Sequence, residues 1–411
     1  MELAEKKYKD TNIYKLYFAS FFRELLFLSP VVLLFYIENG LGIKELFLFQ
    51  GLFFLISILL EIPLGQFSDR ISKKTTLFLS YVLFFIGLSV WFLFKGYFPI
   101  LIGEVLFAIS KVLFDNAKSS YLYDYLSLKN KCDEMSNKYA KLNIFLALGG
   151  TISALTGSFL YGEYGSKIVL SIMLIITFFC LILVSSLSTK KNENEKKYYK
   201  DYKEKIRDVY SFVQTIRKNK NISYYIYYSG LLTSLSIVFA LSFQPLLLKV
   251  ASPIFLFGIV GFFNHGVRAL FSGLTCKALD LFRIKSMIKP LFFLNIISFI
   301  FIFVILFTKN IFVTILLIFL ICLNIGFQLM FTIRHVSRLH FFVSSDKRGS
   351  LISVNNLFSR GTTAILLFSS RFFIDKLGFE NYYFALFFIF LILGSYLVLK
   401  LNSCGEDFFK V

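Results

Sequence analysis

A rhythm of long apolar blocks constrains this chain more than any other feature. Stretches poor in charge fall at 13–37, 46–66, 76–94, 98–122, 139–161, 167–187, 223–248, 254–276, 287–308, 311–333, 350–373 and 382–401. A hydrocarbon layer about 30 Å thick is crossed by about 20 residues of helix, rising about 1.5 Å each. Inside that layer each backbone N–H and C=O needs a partner within its own segment, which a helix supplies. The spacing predicts an all-α integral membrane protein with twelve transmembrane helices in the lipid bilayer.

Composition agrees. The chain is 57% hydrophobic, against about 45–50% for a soluble domain. The net charge of +19 raises nucleic acid as a partner. The bases, however, sit in short loops between apolar blocks, where they set topology, so no nucleic-acid partner is expected. One set of loops is basic: Lys6, Lys7 and Lys9; Arg70, Lys73 and Lys74; Lys129, Lys131 and Lys138; Lys277, Arg283, Lys285 and Lys289; Arg334, Arg338, Lys347 and Arg348. The alternate loops hold mostly single bases, Lys44, Lys95, Lys167, Lys249, Lys309 and Lys376. The positive-inside rule then places both termini in the cytoplasm of a multi-pass protein of the cytoplasmic membrane. The first block carries Arg23 and Glu24 and lacks a small-residue cleavage pattern, so it is expected to remain as the first helix.

Residues 188–220 interrupt the rhythm with eleven Lys/Arg and five Asp/Glu. They divide the chain into an N-terminal six-helix bundle (1–187), a basic cytoplasmic linker (188–220) and a C-terminal six-helix bundle (221–411). Residues 197–205 can form an amphipathic helix on an anionic leaflet or a solvated linker. The halves read as distant repeats. The fifth block ends toward Gly162 and Gly165, the eleventh toward Asp375 and Gly378.

Cysteines 132, 180, 276, 322 and 404 form no C-x-x-C pair and no metal spacing with His, so free thiols and no metal are expected. No phosphate-binding G-x-x-x-x-G-K-[ST] loop is present, nor an HExxH or GxSxG motif, so neither direct use of ATP nor an enzyme is expected.

Between the second and third blocks the chain reads Glu61, Pro63, Gly65, Asp69, Arg70, Lys73 and Lys74. Gly65 allows close helix approach. Asp69 can accept from exposed amides near a helix start, and Arg70 needs a carboxylate partner. This segment resembles the G-x-x-x-D-R-x-G-R-R/K signature of the major facilitator superfamily, with Ser72 where that family has its second Gly. Pro30, the run 121–124 with Tyr121, Tyr123 and Asp124, and the run 347–357 resemble the bacterial drug- and macrolide-efflux-like branch. The resemblance implies two pseudo-symmetric six-helix bundles working by alternating access, and efflux by antiport. It implies a conformational latch of Gly65, Asp69, Arg70, Lys73, Lys74 and Asp124, with Asp69 capping the eleventh helix and Arg70 paired to Asp124. The family's fourth helix often carries an Arg, where this chain has Gly103, Glu104 and Val105. The fifth-helix antiporter signature is replaced by a run from Gly149 and Gly150 to Gly157.

Charges inside apolar blocks cost about 2.5–3.5 kcal/mol on insertion scales and are usually functional. Arg23, Glu24, Glu61, Glu104, Lys111, Asp115, His265, Arg268 and Arg360 are therefore candidates for a substrate or proton pathway. On a helical wheel Glu104 and Lys111 lie within about 20°, and Asp115 lies about 40° from Lys111. Asp124 lies about 160° from Glu104. Lys111 and Asp115 can also satisfy one another. The expected function is a secondary active transporter of a small organic solute, proton-coupled through Glu104 or Glu24, without a cofactor, and monomeric. Uptake of an anionic metabolite through Arg23, Arg268 and Arg360, or a non-transporting membrane sensor on the same scaffold, are the alternatives.

Overall fold

The computed structural model describes residues 11–129, 131, 134–188, 207, 213–214, 219–277, 284–339 and 348–404. Cys132, the 197–205 segment and Lys347 lie outside the described residues. The elements are α1 (Thr11–Arg23), a 3-10 turn (Ser29–Val31), α2 (Val32–Glu38), α3 (Ile43–Arg70), α4 (Lys73–Leu93), α5 (Tyr97–Ser127), α6 (Met135–Ser185), α7 (Lys220–Lys249), α8 (Ile254–Lys277), α9 (Ile284–Phe307), α10 (Ile311–Leu339) and α11 (Arg348–Asn402). Among the described residues, nine helices are long and apolar enough to cross a membrane.

Two of these helices are too long for one crossing. α6 has 51 residues and α11 has 55, against the roughly 20 that span a bilayer. Each turns at a single glycine, Gly165 (φ 74°) in α6 and Gly378 (φ 85°) in α11. Only glycine enters this left-handed region without a Cβ penalty. The turns fall at the two block ends that read as equivalent in sequence. Counting each bent helix as two and the first block as one, the described residues are compatible with twelve crossings.

The first block is not the continuous helix its apolarity suggests. α1 ends at Arg23, residues 24–28 leave the helix, and the chain resumes through the 3-10 turn into α2. Pro30 is the second residue of that turn. It has no N–H to give a preceding carbonyl, and Ser29 N takes the Leu26 carbonyl instead, at 2.8 Å. The break rests on α6. A Cβ at Gly149 would lie 2.3 Å from the Phe21 carbonyl oxygen, and one at Gly157 would lie 2.1 Å from that of Phe27. Two glycines thus let α6 touch backbone just before the break and within it, as small residues do in membrane packing.

The described helices form two units. The first holds residues 1–41 and 59–202, the second 42–58 and 203–411, so α3 contributes a segment to each. In the first unit α4 packs on α5 and α1 packs on α6. Its core includes Leu16, Tyr17, Tyr81, Phe114, Leu122 and Val184. In the second unit α7 packs on α11, and α10 on α8 and α9. Residues 42–58 belong here because Gly51 meets Leu367 and Phe47 meets Tyr382 edge-on. Lys44 Nζ also lies 3.0 Å from Asp375 Oδ1. α3, α7 and α9 run through Pro63, Pro245 and Pro290, which membrane helices tolerate where neighbours satisfy the freed carbonyls.

Candidate functional site

In the first unit the break in the first block brings two adjacent charges to one helix. Arg23 and Glu24, successive residues that differ by about 100° on a regular helix, both reach α5 because α1 stops between them. Glu24 Oε1 lies 3.6 Å from Lys111 Nζ, Lys111 lies 3.5 Å from Asp115, and Asp115 lies 2.7 Å from Lys118 Nζ. The result is a ladder of alternating sign, Glu24, Lys111, Asp115 and Lys118. The pairing of Lys111 with Asp115 is present but extends on both sides.

Arg23 goes deeper. Its Nη2 donates to Ser110 Oγ at 2.7 Å, and Ser110 passes a hydrogen bond to the Ser80 carbonyl at 2.6 Å. Its guanidinium carbon lies 4.5 Å from the Phe114 ring centre, 5.0 Å from Phe84 and 5.1 Å from Tyr81. Aromatic faces attract a desolvated cation. Nη1 is buried without a hydrogen-bond partner. These five side chains comprise three cations and two acids.

Glu104 shares the helical face of Lys111 and Asp115 but not their surroundings. Glu24, Lys111 and Asp115 stay partly exposed, whereas Glu104 is 4% exposed. Tyr36, on α2, donates to its Oε1 at 2.6 Å. Trp91 packs edge-on against Tyr36. The apparent stripe on the fourth block is therefore an enclosed acid about two turns from an open ladder.

The 65–74 segment joins the end of α3 to the start of α4. The start of α4 is capped by Ser72, whose side chain accepts from Thr75 N at 3.0 Å. Asp69 belongs to the last turn of α3, where Lys73 Nζ lies 2.8 Å from its Oδ1 and 2.7 Å from the Ser68 carbonyl. Ser72 can cap because its backbone is extended while its carbonyl already accepts from Thr76. Gly65 faces α5, but a Cβ there would meet Asn116 Nδ2 at an ordinary 3.8 Å. Arg70 is exposed, and Lys74 and Asp124 are half-buried. Glu61 is half-buried on α3. Outside the spans, Lys131 Nζ at 2.8 Å from Glu134 holds that carboxyl below its ordinary range.

In the second unit His265 and Arg268 are half-buried on α8, and Arg360 is half-buried on α11. A neutral polar cluster that sequence reading did not single out ties three helices. Ser236 of α7 donates to Gln328 Oε1 at 2.5 Å, and Gln328 donates to Asn295 Oδ1 at 2.9 Å. Asn324 donates to Ser298 Oγ at 2.8 Å. Lys118 was also missed, although it falls on the Lys111 face and three residues after Asp115, a helix-neighbour spacing. Tyr36 carried no local signal, since 68 residues separate it from Glu104.

Comparison with known proteins follows the same lines. No curated protein matches the chain. Among solved structures, a point variant of the nucleoside transporter NupG superposes with TM-score 0.76 at 16% identity, over 97% of this chain and 100% of that one. A variant of the peptide transporter POT gives 0.71 at 15%, over 97% and 95%. A bacterial homolog of the human lysosomal transporter Spinster gives 0.63 at 14%, over 96% and 93%. At such identities the likeness is one of fold. The family model described as Major Facilitator Superfamily matches residues 16–367. With that match over most of its length, and charged side chains set into the apolar helices of a transporter fold, this chain is a membrane transporter belonging to the Major Facilitator Superfamily.

Proposed function

We propose that the chain is a secondary active transporter that moves a small organic solute across the cytoplasmic membrane by alternating access, driven by protons. The observation that carries this reading is the break in the first block. It sets Glu24 against the ladder of Lys111, Asp115 and Lys118 inside a membrane-spanning bundle. Interrupted helices at membrane depth are tolerated where protein or a water-filled path surrounds them, and they commonly form solute and ion sites. The partly exposed charges of Glu24, Lys111 and Asp115 support a solute path, and the enclosed Glu104 supports a separate proton site.

Efflux is the proposed direction, supported by the resemblance of the Pro30, 121–124 and 347–357 segments to efflux proteins. Gly65, Asp69, Arg70, Lys73, Lys74 and Asp124 are proposed as the latch of the cycle. Uptake of an anionic metabolite is the second reading, favoured by the surplus cation among Arg23, Glu24, Lys111, Asp115 and Lys118.

The test is flux in reconstituted vesicles with a panel of organic solutes, with and without a pH gradient. Solute movement that follows the gradient is expected. Flux indifferent to pH removes proton coupling, and no flux of any solute favours a sensor on the same scaffold. Movement toward the acidic side indicates antiport.

A further inference from the structure

The second unit carries a cation at membrane depth that its described residues do not neutralise. Arg268 lies fourteen residues from one end of α8 and nine from the other, or about 21 and 14 Å along the axis. Its Nε is buried and has no hydrogen-bond partner. The side chain is therefore not reaching for the membrane surface, as a snorkelling Arg does. One helical turn earlier, Asn264 Oδ1 is likewise buried without a partner. At i and i+4 the two groups share one face. The large exposed side chains of α8, Phe255, Phe263, Leu270 and Leu274, lie on the other side of the helix. Val267 and Phe271 hold α8 against Gly326 of α10.

Among the described residues of this unit no carboxylate pairs with Arg268. α7, α8, α9 and α10 contain no Asp or Glu at all. The acids among the described residues of this unit are Glu45, Asp375 and Glu380. Each is engaged elsewhere: Glu45 with the Gly42 amide at 2.8 Å, Asp375 with Lys44 at 3.0 Å, and Glu380 with Lys249. A lone charge at this depth is expensive and is retained where something pairs with it.

We propose that Arg268 and Asn264 form the receptor for an oxyanion, a carboxylate or phosphate, carried by the transported solute. This deepens the transport reading and rests on it. A guanidinium offers a fork of N–H donors that matches two oxygens of such a group. The Asn264 carboxamide can turn to offer an N–H beside it. An arriving anion is the counter-ion that the described residues of the unit do not supply, so its binding is coupled to neutralising Arg268.

The test is thermal unfolding of the full chain purified in detergent, which needs no transport. The probes are sodium benzoate, sodium succinate and sodium phosphate, against sodium chloride at equal ionic strength. At least one oxyanion is expected to raise the unfolding temperature by about 2 °C or more. Arg268→Met should abolish that rise, and Asn264→Leu should reduce it. Without added oxyanion, Arg268→Met should be at least as stable as the unsubstituted protein, since it removes an unpaired charge. A clear loss of stability in Arg268→Met would show that Arg268 has a structural partner and overturn the proposal. So would shifts that are the same in chloride, or the same with and without Arg268. Benzoate or succinate acting alone selects a carboxylate, and phosphate acting alone selects a phosphate. Oxyanion binding without vesicle flux would leave the receptor standing and remove the transport reading.

Discussion

Tyr36 donates a 2.6 Å hydrogen bond to Glu104, joining α2, beyond the break in the first block, to the first third of α5. The pair closes off the one acid of α5 that is nearly inaccessible. A buried carboxyl held by a single neutral donor can exist with or without its proton. A carboxyl pinned by a cation is held ionised.

Glu104→Gln should abolish accumulation driven by a pH gradient while keeping solute binding and exchange. Gln still offers Tyr36 an acceptor, so stability should change by no more than about 1 kcal/mol. Gradient-driven flux at the normal level in this variant would eliminate Glu104 as carrier and move the proposal to Glu24.

The charge ladder should be graded. Lys118 is 12% exposed and 2.7 Å from Asp115, whereas Lys111 is 39% exposed and 3.5–3.6 Å from its two acids. Screened pairs like those of Lys111 contribute about 0–1 kcal/mol. Removing one partner of a covered pair costs more. Lys118→Met should therefore lower the unfolding temperature more than Lys111→Met, while Lys111→Met should impair flux. The reverse order of stabilities would show that the ladder is not arranged this way in the membrane.

Gly157→Ala should destabilise the first unit. Its Cβ would fall 2.1 Å from a backbone oxygen of Phe27, and overpacking of this kind costs about 1–3 kcal/mol. Gly65→Ala meets only an ordinary contact and should fold normally. Comparing the amounts of monodisperse protein recovered from the two variants tests the contrast.

The latch is tested by a double-mutant cycle on flux. Asp69→Asn, Arg70→Ala and Asp124→Asn should each impair transport with insertion intact. If Arg70 and Asp124 act together, exchanging their charges should restore part of the activity that either reversal loses. Strictly additive losses would separate them. Lys73→Met should resemble Asp69→Asn, because Lys73 is the cation paired with Asp69.

Topology is tested with introduced cysteines. Cys404 is unsuitable: it is 4% exposed, and burial raises its thiol above the ordinary range. Lys95→Cys and Ser403→Cys place thiols at exposed positions. An impermeant reagent added to intact cells should label the first and spare the second until the membrane is opened. Labelling of Ser403→Cys in intact cells would invert the orientation.

What the sequence determined by itself is what can be read along one segment. Membrane insertion follows from block length and hydropathy, because each helix satisfies its own backbone. The stripe of Lys111 and Asp115 follows from helical period, and Lys118 was legible by the same rule. The turns at Gly165 and Gly378 coincide with breaks in the apolar pattern. Tertiary structure decided the rest, because the deciding contacts join residues far apart in the chain. Pro30 signalled a perturbation, but the break it accompanies is seated on Gly149 and Gly157, more than a hundred residues away. That break lets Arg23 and Glu24 both face α5, against the angle a regular helix would impose. Glu104 parted from its neighbours on the wheel only because Tyr36 covers it. Ser72 caps α4, and Asp69 pairs with Lys73, because helix α3 runs through to Arg70 and places Asp69 one turn before Lys73. Arg268 looked like one charge among several until the packing left its Nε without a partner and each described carboxylate of its unit engaged elsewhere. A helical wheel gives a direction, and only the neighbours supplied by the fold decide whether that direction ends in a ring, an acid, or a place left for a ligand.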